Sequence, residues 1–402
     1  MADDRFVWHK DARLIGADGR PVDRRGATDA PTDAAALVQA MALAEQGRAF
    51  RIGASDQPPA ASGTPPVFET LTSGTSGTPR RICRRQSSWT ASFALHEGLF
   101  GLGPGQRVAS LGALVHSLSL YSAIEGLHLG AEVHLMAALR PDRQRQALAA
   151  RAISHLYATP AQLRLLSEAA GPDLPALRHL LVGGSKLDPA LRARLARLAP
   201  AAALREFYGA AETSFITLSG PDLPEASVGQ AYSGVDLSIR DEAGQTLAGG
   251  AVGEVWVRSP YLFNGYGDGQ PGPARWQGEW LSVGEIGWLE AGCLFLAGRA
   301  ARMITIADQN VFPEEIEVFL ASLPGIARVA VLPRPDALRG TVLIAVALRD
   351  PAFALSDDDL LRPARDRFGP LKAPRQVIWR VDWPDLPSGK TDLARLAREV
   401  AS

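Results

Sequence analysis

Cysteine and histidine are scarce in this 402-residue chain, and their distribution excludes several kinds of site. The two cysteines, Cys83 and Cys293, stand far apart with no partner at a metal-binding spacing. This argues against both a disulfide scaffold and a zinc site, and it fits a reducing cytosol. The seven histidines are scattered as well, so a histidine-based metal cluster is not expected.

Long apolar runs and strong net charge are also missing. No stretch of 18 apolar residues occurs, and the first residues lack the apolar core of a signal peptide. The formal net charge is −1, so no overall basic field attracts nucleic acid or anionic lipid. We therefore expect a cytoplasmic protein without nucleic-acid or membrane partners.

Lysine is the rare basic residue. Of the 42 lysines and arginines, only four are lysines: Lys10, Lys186, Lys372 and Lys390. An exposed basic position in this chain is almost always arginine, so each lysine becomes a candidate for a specific role.

Short apolar segments alternate with amphipathic ones from about residue 67 onward. The candidate strands are residues 107–112, 131–136, 154–159 and 178–184. The candidate helices are residues 35–47, 160–170 and 188–199. Asp188 is a plausible N-cap for the last of these helices. Strands separated by helices of this length predict parallel α/β layers.

The chain changes character after these layers. Residues 225–297 alternate apolar and polar positions between glycine turns, which indicates antiparallel strands. The remaining segments are a helix at 313–322, strands at 328–333 and 341–349, a helix at 357–368 and a strand at 376–381. We expect an α/β fold with a large domain at 1–298, made of layered α/β sheets and a β-rich subdomain. A small, mobile α+β domain at 299–402 follows it.

The stretch TSGTSGTPRR at 72–81 follows an apolar segment at 67–71. Backbone N–H groups of a glycine-rich turn can converge on an anion, and hydroxyl side chains add further donors. Glycine also permits the positive φ angles that such a turn needs. The stretch matches neither GxxxxGK[ST] nor GxGxxG. Taken alone, it fits a flexible linker as well as a phosphate-binding loop.

Further segments change this balance. The chain carries REFYGAAET at 205–213, VGQAYSGVDLSI at 228–239, GEVWVRSPYLFNGY at 253–266, WLSVGEIGWLEAGCLFLAGR at 280–299, NVFPEEIE at 310–317 and LPSGKTDLARL at 386–396. Together with TSGTSGTPR, these segments resemble the ordered motifs of the adenylate-forming superfamily. That superfamily comprises acyl- and aryl-CoA ligases, adenylation domains of peptide synthetases, and luciferases. The resemblance runs from about residue 67 to the C-terminus.

The resemblance implies a chemistry and a set of ligands. A carboxylate would attack the α-phosphorus of MgATP to give an acyl-adenylate and pyrophosphate. The acyl group would then pass to the thiol of coenzyme A. The phosphates of ATP would be held by Thr72, Ser73, Gly74, Thr75, Ser76 and Gly77, and Thr75 would also serve Mg²⁺.

Three charged residues carry the implied catalysis. Lys390 would bridge the α-phosphate and the substrate carboxylate, and Glu212 would bind Mg²⁺. Arg80 stands where the family usually has lysine. Each also has a simpler interpretation: Lys390 as a surface residue, Glu212 as an exposed carboxylate at a helix start, and Arg80 as part of a solvated run of arginines at 80–85.

The resemblance also implies the nucleotide pocket. The residues concerned are Gly183, Gly184, Ser185, Tyr208, Gly209, Glu285 and Arg299. Tyr208 would stack on adenine, although it could equally be a core residue. Glu285 stands where the family usually has the aspartate that contacts the ribose hydroxyls, and Arg299 is the hinge arginine.

The acyl pocket is expected between residues 113–126 and the end of the 205–213 segment. His116 and Ser117 would lie on its wall, although a packed histidine is an equal alternative for His116. Gly209, Ala210 and Ala211 would form a floor that leaves room for a flat ring. We favour an aromatic acid, such as a benzoate or hydroxycinnamate, over a fatty acid.

Several departures from the family leave alternatives open. The segment before the phosphate loop is short, which is compatible with a homodimer that covers the surface left exposed. The usual hinge residues are replaced by Ala301, Thr305 and Asp308, which bears on the thioester step. A carrier-protein phosphopantetheine is therefore an alternative acceptor to coenzyme A. A non-catalytic nucleotide-binding protein is the alternative of another class.

Overall fold

A computed structural model describes residues 4–24, 33–53, 67–71, 80–267, 269, 272–306, 309–336, 340–386 and 390–401. The first elements are β1 (Arg13–Ile15), α1 (Asp33–Glu45), β2 (Phe50–Arg51), β3 (Val67–Leu71), β4 (Arg81–Arg85) and α2 (Ser87–Phe100). Strands β3 and β4 pair antiparallel, and β2 pairs parallel with β3. The predicted phosphate loop, 72–77, joins β3 to β4 and lies outside the described residues.

A parallel sheet follows. Its elements are β5 (Arg107–Ser110), α3 (Ser117–Leu129), β6 (Glu132–Leu135), α4 (Pro141–Ala150), β7 (His155–Ala158), α5 (Pro160–Glu168), β8 (His179–Val182), α6 (Pro189–Leu198) and β9 (Ala203–Ala210). The order β1-β6-β5-β7-β8-β9 is parallel throughout, which confirms the predicted layers. The Asp188 carboxylate accepts a hydrogen bond from the Leu191 amide over 2.7 Å, so the predicted N-cap is confirmed as well.

The same sheet continues with antiparallel strands. They are β10 (Ser214–Leu218), β11 (Gly229–Ala231), β12 (Asp236–Arg240), β13 (Gly253–Arg258), β14 (Gly265–Tyr266), β15 (Arg275–Gln277), β16 (Trp280–Ser282), β17 (Glu285–Glu290) and β18 (Cys293–Arg299). Strand β9 pairs antiparallel with β10, so the change from parallel to antiparallel pairing occurs at β9. Strand β14 instead joins the small sheet beside β4. The β-rich region predicted at 225–297 is confirmed.

The C-terminal elements form a separate three-stranded sheet. After a 3₁₀ turn at Ala300–Arg302 come β19 (Ile304–Ile306), β20 (Gln309–Val311), α7 (Pro313–Ala321), β21 (Ile326–Asp336), β22 (Gly340–Arg349), α8 (Asp358–Lys372), β23 (Val377–Arg380) and α9 (Leu393–Ala401). Strand β22 pairs antiparallel with β21 and parallel with β23. Helix α8 is interrupted at Gly369, where φ is +77°. The α+β arrangement is confirmed, whereas the boundary between 298 and 299 stays a prediction.

Buried aromatic side chains pack against the hairpin of β3 and β4. The rings of Phe68 and Trp89 meet edge to face with their centres 4.5 Å apart, and Phe6 lies 5.1 Å from Phe68. All three side chains are buried. The segment that carries Phe6 therefore packs into one buried interior with β3 and α2. Among the residues that the structure describes, no helix has both the length and the apolar character needed to cross a bilayer.

Candidate active site

A cavity of about 1870 Å³ opens at the carboxyl ends of β5, β7, β8 and β9. Ligands of open α/β sheets bind at this edge. The cavity is lined by every predicted site residue that the structure describes: Arg80, His116, Ser117, Gly183, Gly184, Ser185, Tyr208, Gly209, Ala210, Ala211, Glu212, Glu285, Arg299 and Lys390. Residues separated by as much as 310 positions in the chain, from Arg80 to Lys390, therefore face one space.

Glu212 lies in the tight turn between β9 and β10. Its residue surface is only 9% exposed, and its Oε1 accepts a hydrogen bond from the Tyr266 hydroxyl over 3.0 Å. Its carbonyl oxygen accepts a hydrogen bond from the Phe263 amide over 2.8 Å. The interpretation of Glu212 as an exposed carboxylate at a helix start is therefore wrong, because the residue is buried and lies in a turn between strands.

Arg80 lies directly before β4 and packs on the same tyrosine. Its guanidinium carbon is 3.8 Å from the centre of the Tyr266 ring, which is a cation–π contact. Tyr266 thus touches both Arg80 and Glu212. Burial raises the pKa of Tyr266, and the Glu212 carboxylate raises that pKa further, so the phenol remains a proton donor.

The arginine run at 80–85 is not the solvated surface that its composition suggests. Arg81 pairs with the buried Glu69 over 2.7 Å, and Arg84 is only 1% exposed. Arg85, in contrast, is exposed. Because side chains alternate across a strand, Ile82 and Arg84 face the interior together. The interpretation of a solvated run is wrong for these interior positions.

At two glycines on the edge of the cavity, neighbouring atoms leave no room for a side chain. A Cβ atom on Gly209 would overlap the carbonyl oxygen of Ser214 across the β9–β10 turn. A Cβ atom on Gly183, directly after β8, would overlap the ring of Phe207. Small residues at these points bring the ends of β8 and β9 close to the cavity.

Glu285 and Arg299 face each other across β17 and β18. Arg299 Nε donates to Glu285 Oε1 over 2.9 Å, and Glu285 is 7% exposed. Three residues later, the guanidinium of Arg302 donates two hydrogen bonds to Glu317 of α7, over 2.7 and 3.0 Å. One arginine–glutamate pair thus holds the chain just before the 3₁₀ turn, and the other holds the last residue of that turn.

Lys390 reaches the cavity from the C-terminal region and is half-buried. Its backbone carbonyl accepts a hydrogen bond from the Leu386 amide over 2.7 Å. Burial lowers the pKa of the Lys390 ammonium, and the nearby Arg299 lowers it further. Glu285 and Glu212 act in the opposite direction. Lys390 therefore lies within electrostatic range of the Glu285 and Glu212 carboxylates.

One part of the cavity has an aromatic wall, of which Trp89 and Phe215 lie outside the segments predicted to form the acyl pocket. It consists of Trp89, Tyr121, Phe207 and Phe215. Tyr208 and His116 also line the cavity, each half-buried, and burial lowers the pKa of His116. The aromatic residues come from four separate elements, so no local motif connects them.

The Glu212 carboxylate fits a partly hydrated Mg²⁺ better than a metal fully enclosed by protein ligands. Mg²⁺ commonly takes one or two carboxylates and fills its remaining positions with water and phosphate oxygens. Glu212 offers such an oxygen next to the Arg80 cation. Within the described ranges, no group of three histidine, cysteine, aspartate or glutamate residues could enclose a metal.

Comparison with known proteins identifies the family of the chain. The AMP-binding enzyme family model matches residues 10–267, and the model of the AMP-binding enzyme C-terminal domain matches residues 315–390.

Two relatives match the chain over most of its length. An uncharacterized acyl–CoA ligase, YhfT of Bacillus subtilis, is 30% identical over 350 residues, which are 86% of this chain and 71% of that protein. The indoleacetate–CoA ligase of Aromatoleum aromaticum is 29% identical over 339 residues, covering 81% of this chain and 65% of that protein.

The structure is also similar to that of the amide bond synthetase McbA from Marinactinospora thermotolerans. The TM-score is 0.71 at 28% identity, covering 83% of this chain and 69% of that one. The match of the family model to more than half of the chain confirms the predicted enzyme class. The chain belongs to the AMP-binding enzymes of the adenylate-forming superfamily, in the family that contains the AMP-forming acid–CoA ligases.

Proposed function

We propose that this chain activates a carboxylic acid with MgATP to an acyl-adenylate, releases pyrophosphate, and passes the acyl group to the thiol of coenzyme A with release of AMP. The observation that carries the proposal is the convergence of Lys390, Glu212 and the Glu285–Arg299 pair on one cavity. These residues supply two cations and two carboxylates to one space.

The first role of the site is to offset repulsion between two anions. The acid and the α-phosphate are both negative, so their approach needs positioned cations. In this proposal Lys390 binds both groups, and Arg80 binds the phosphates that leave. Arg80 lies against the face of Tyr266 and offers a forked donor in place of the family's lysine.

Glu212 and Thr75 are the proposed Mg²⁺ ligands. The ion would neutralise phosphate charge and orient the phosphate groups. The Tyr266 hydroxyl occupies Oε1 of Glu212 as a donor, which restrains the carboxylate and leaves Oε2 as the freer ligand atom.

The remaining cavity residues form the proposed nucleotide pocket. The phosphate loop comprises Thr72, Ser73, Gly74, Thr75, Ser76 and Gly77. Tyr208 stacks on adenine beside Gly183, Gly184 and Ser185. Glu285 accepts hydrogen bonds from the ribose hydroxyls, and its side chain is one methylene longer than that of an aspartate. The hydrogen bond from Arg299 orients its carboxylate.

An aromatic acid is the proposed substrate class. The wall of Trp89, Tyr121, Phe207 and Phe215 offers ring faces and edges to a flat group, and aromatic pairs prefer such contacts. The small residues Ala210 and Ala211 leave room at the floor for a flat ring, and His116 and Ser117 supply polar atoms at the side. The relative named as an indoleacetate–CoA ligase supports the same class.

Coenzyme A is the proposed acceptor, and a carrier-protein phosphopantetheine is the alternative. Ala301 and Thr305 are both exposed, so neither is committed to the core, and Asp308 lies outside the described residues. The likeness to an amide bond synthetase adds an amine to the acceptors worth testing. The domains at 1–298 and 299–402, their relative rotation, a homodimer and a cytoplasmic location stay predictions.

A non-catalytic nucleotide-binding protein is the rival proposal. The departures at Arg80 and Glu285 are its support. Both side chains nevertheless make specific contacts in the cavity, with Tyr266 and Arg299. A cavity that had lost its chemistry would have no reason to keep these contacts together with Glu212 and Lys390.

The test is release of pyrophosphate from MgATP in the presence of aromatic and aliphatic acids. We expect release with aromatic acids, and a loss of about 100-fold or more in Lys390→Ala. Lys10→Ala is the matched control, because Lys10 is exposed and does not line the cavity. Coenzyme A, a holo-carrier protein and an amine are then offered to the adenylate. Folded wild-type protein that binds ATP but releases no pyrophosphate with any acid would favour the non-catalytic rival.

A further inference from the structure

Arg84 of β4 is a buried cation that the proposed chemistry does not use. It is only 1% exposed, yet all of its hydrogen-bond partners are neutral. Its guanidinium donates to the Ala211 carbonyl over 2.5 Å, to the Ser214 hydroxyl over 2.6 Å and to the Tyr261 carbonyl. Its Nε donates to the Ser88 hydroxyl over 3.3 Å. Within the described part of the chain, no carboxylate forms an ion pair with Arg84.

An unpaired guanidinium in the interior is costly to keep. Moving a charge out of water is unfavourable unless hydrogen bonds and an opposite charge compensate for it. Burial lowers the pKa of Arg84 to about 9, and the strongest opposing influence is the negative charge of Glu212. An apolar side chain would fill such a position at lower cost, so the retained cation points to a role.

Arg84 contacts the residues on both sides of Glu212 in the sequence. Ala211 precedes Glu212 and Ser214 follows it by two residues, so the guanidinium spans the back of the turn that carries the carboxylate. Ser214 has a φ of +55°, which is uncommon for a residue other than glycine. The hydrogen bond from Arg84 to its hydroxyl helps to hold this conformation.

The carboxylate of Glu212 is also connected to β4, through Tyr266. Tyr266, which donates to Oε1 of Glu212, belongs to β14, and β14 pairs with β4 at Cys83 and Ile82. Arg84 is the next residue but one after Ile82 on β4. Strand β4 therefore supports the carboxylate directly through Arg84 and indirectly through Tyr266.

We propose that Arg84 is a positioning residue for Glu212, which holds the β9–β10 turn so that the carboxylate faces the phosphates of MgATP. The inference rests on the proposed function, because it takes Glu212 as a Mg²⁺ ligand. Arg84 itself contacts neither substrate nor metal. Partners of this kind, behind a metal ligand, typically change metal affinity or activity by about 10- to 100-fold when they are removed.

The experiment compares wild type with Arg84→Met and Arg84→Lys. Affinity for ATP is measured by calorimetry at a series of Mg²⁺ concentrations with no acid present. We expect Arg84→Met to need about 10- to 100-fold more Mg²⁺ for half-maximal binding. Arg84→Lys keeps the charge but loses the forked donor, so we expect a smaller change in the same direction. Arg85→Met is the matched control, because Arg85 lies on the same strand and is exposed.

A purely structural role predicts a different result. Arg84→Met would then lower the midpoint of thermal unfolding while its Mg²⁺ dependence matched that of wild type, and this would overturn the inference. If Arg84→Met does not fold, Ser214→Ala removes one acceptor of the guanidinium and keeps Arg84 in place. A shift towards higher Mg²⁺ in Ser214→Ala supports the positioning role, and an unchanged dependence overturns it.

Failure of the proposed function gives a separate signal. Wild-type protein that binds ATP in a Mg²⁺-dependent way but releases no pyrophosphate with any acid contradicts acid activation. The Mg²⁺ dependence of ATP binding still tests Arg84 in that case.

Discussion

The Tyr266 hydroxyl donates a hydrogen bond to Oε1 of Glu212, with 3.0 Å between the two oxygens. The same tyrosine ring carries the Arg80 guanidinium on its face. Tyr266 therefore contacts both the Arg80 cation before β4 and the Glu212 carboxylate in the β9–β10 turn. Hydrogen bonds to a charged group contribute about 1.5–3 kcal/mol, more than neutral ones.

Tyr266→Phe removes this hydrogen bond and keeps the ring beneath Arg80. We expect kcat/KM for MgATP in pyrophosphate release to fall about 10- to 100-fold, because the Glu212 carboxylate loses its restraint. Tyr232→Phe is the control, since the buried Tyr232 hydroxyl has no hydrogen-bond partner among the described residues. Equal activity of the two variants would contradict a role for the Tyr266 hydroxyl.

The ammonium of Lys390 should limit activity at alkaline pH. Burial and Arg299 lower its pKa, so the charged form is lost at a lower pH than for an ordinary lysine. Pyrophosphate release is then expected to decline as the pH rises through this lowered pKa. In Lys390→Arg the cation persists to higher pH. The residual activity of this variant should therefore begin to decline at a higher pH than the activity of wild type. Profiles with the same alkaline limb in both proteins would assign the decline to another group.

Glu125 of α3 should be a strong determinant of stability. It is fully buried and accepts hydrogen bonds from the Tyr157 hydroxyl over 2.5 Å and the Tyr121 hydroxyl over 3.1 Å, and its Oε1 lies 2.5 Å from His96 Nδ1. Removing one partner of a buried charged network typically costs about 3–5 kcal/mol. We expect a loss of this size in the free energy of unfolding of Glu125→Ala, measured with urea. The exposed Glu97 of α2 provides the control, and a Glu97→Ala variant equally destabilised would refute the prediction.

His134 of β6 should make the fold sensitive to acid. It is 3% exposed, its Nε2 lies 3.0 Å from Glu132 Oε1, and its Nδ1 has no partner among the described residues. Burial lowers the pKa of His134 to about 4, although the hydrogen bond to Glu132 acts in the opposite direction. The unfolded chain binds the proton near pH 6.5, whereas the folded chain does not until about pH 4.

Stability is therefore expected to fall as the pH decreases from 6.5 to 4, by up to roughly 3 kcal/mol from this residue. The measurement is the free energy of unfolding of wild type and His134→Gln across this range. The variant should show the flatter dependence. Parallel curves for the two proteins would exclude His134 as the source.

The regular elements were predictable where local chemistry determines them. Asp188 caps α6 because its carboxylate reaches an amide three residues on, a relationship that the sequence itself contains. Helix α3 was not predicted as a helix. Every residue of this helix from Ser119 to Leu127 is buried. Its sequence therefore shows no alternation between an apolar and a polar face.

The site was predictable by resemblance, and its internal contacts were not. The motifs named Glu212, Glu285 and Lys390, but the contact of Tyr266 with Glu212 joins a strand to a turn, and the two residues are 54 positions apart in sequence. A hydrogen bond of that kind depends on the pairing of β14 with β4, which no local pattern specifies. Alternation along β4 could have identified Arg84 as an interior residue, because it shares a face with the buried Ile82.

The two arginine–glutamate pairs around the 3₁₀ turn leave very little chain between them. Arg299 is bound to Glu285 on the cavity side, and Arg302 is bound to Glu317 of α7. Only Ala300 and Ala301 lie between the two arginines. While both pairs persist, any reorientation of α7 relative to β17 falls mainly on the φ and ψ angles of these two alanines. A hinge between β17 and α7 would then consist of two residues, whose small side chains do not obstruct rotation of the backbone.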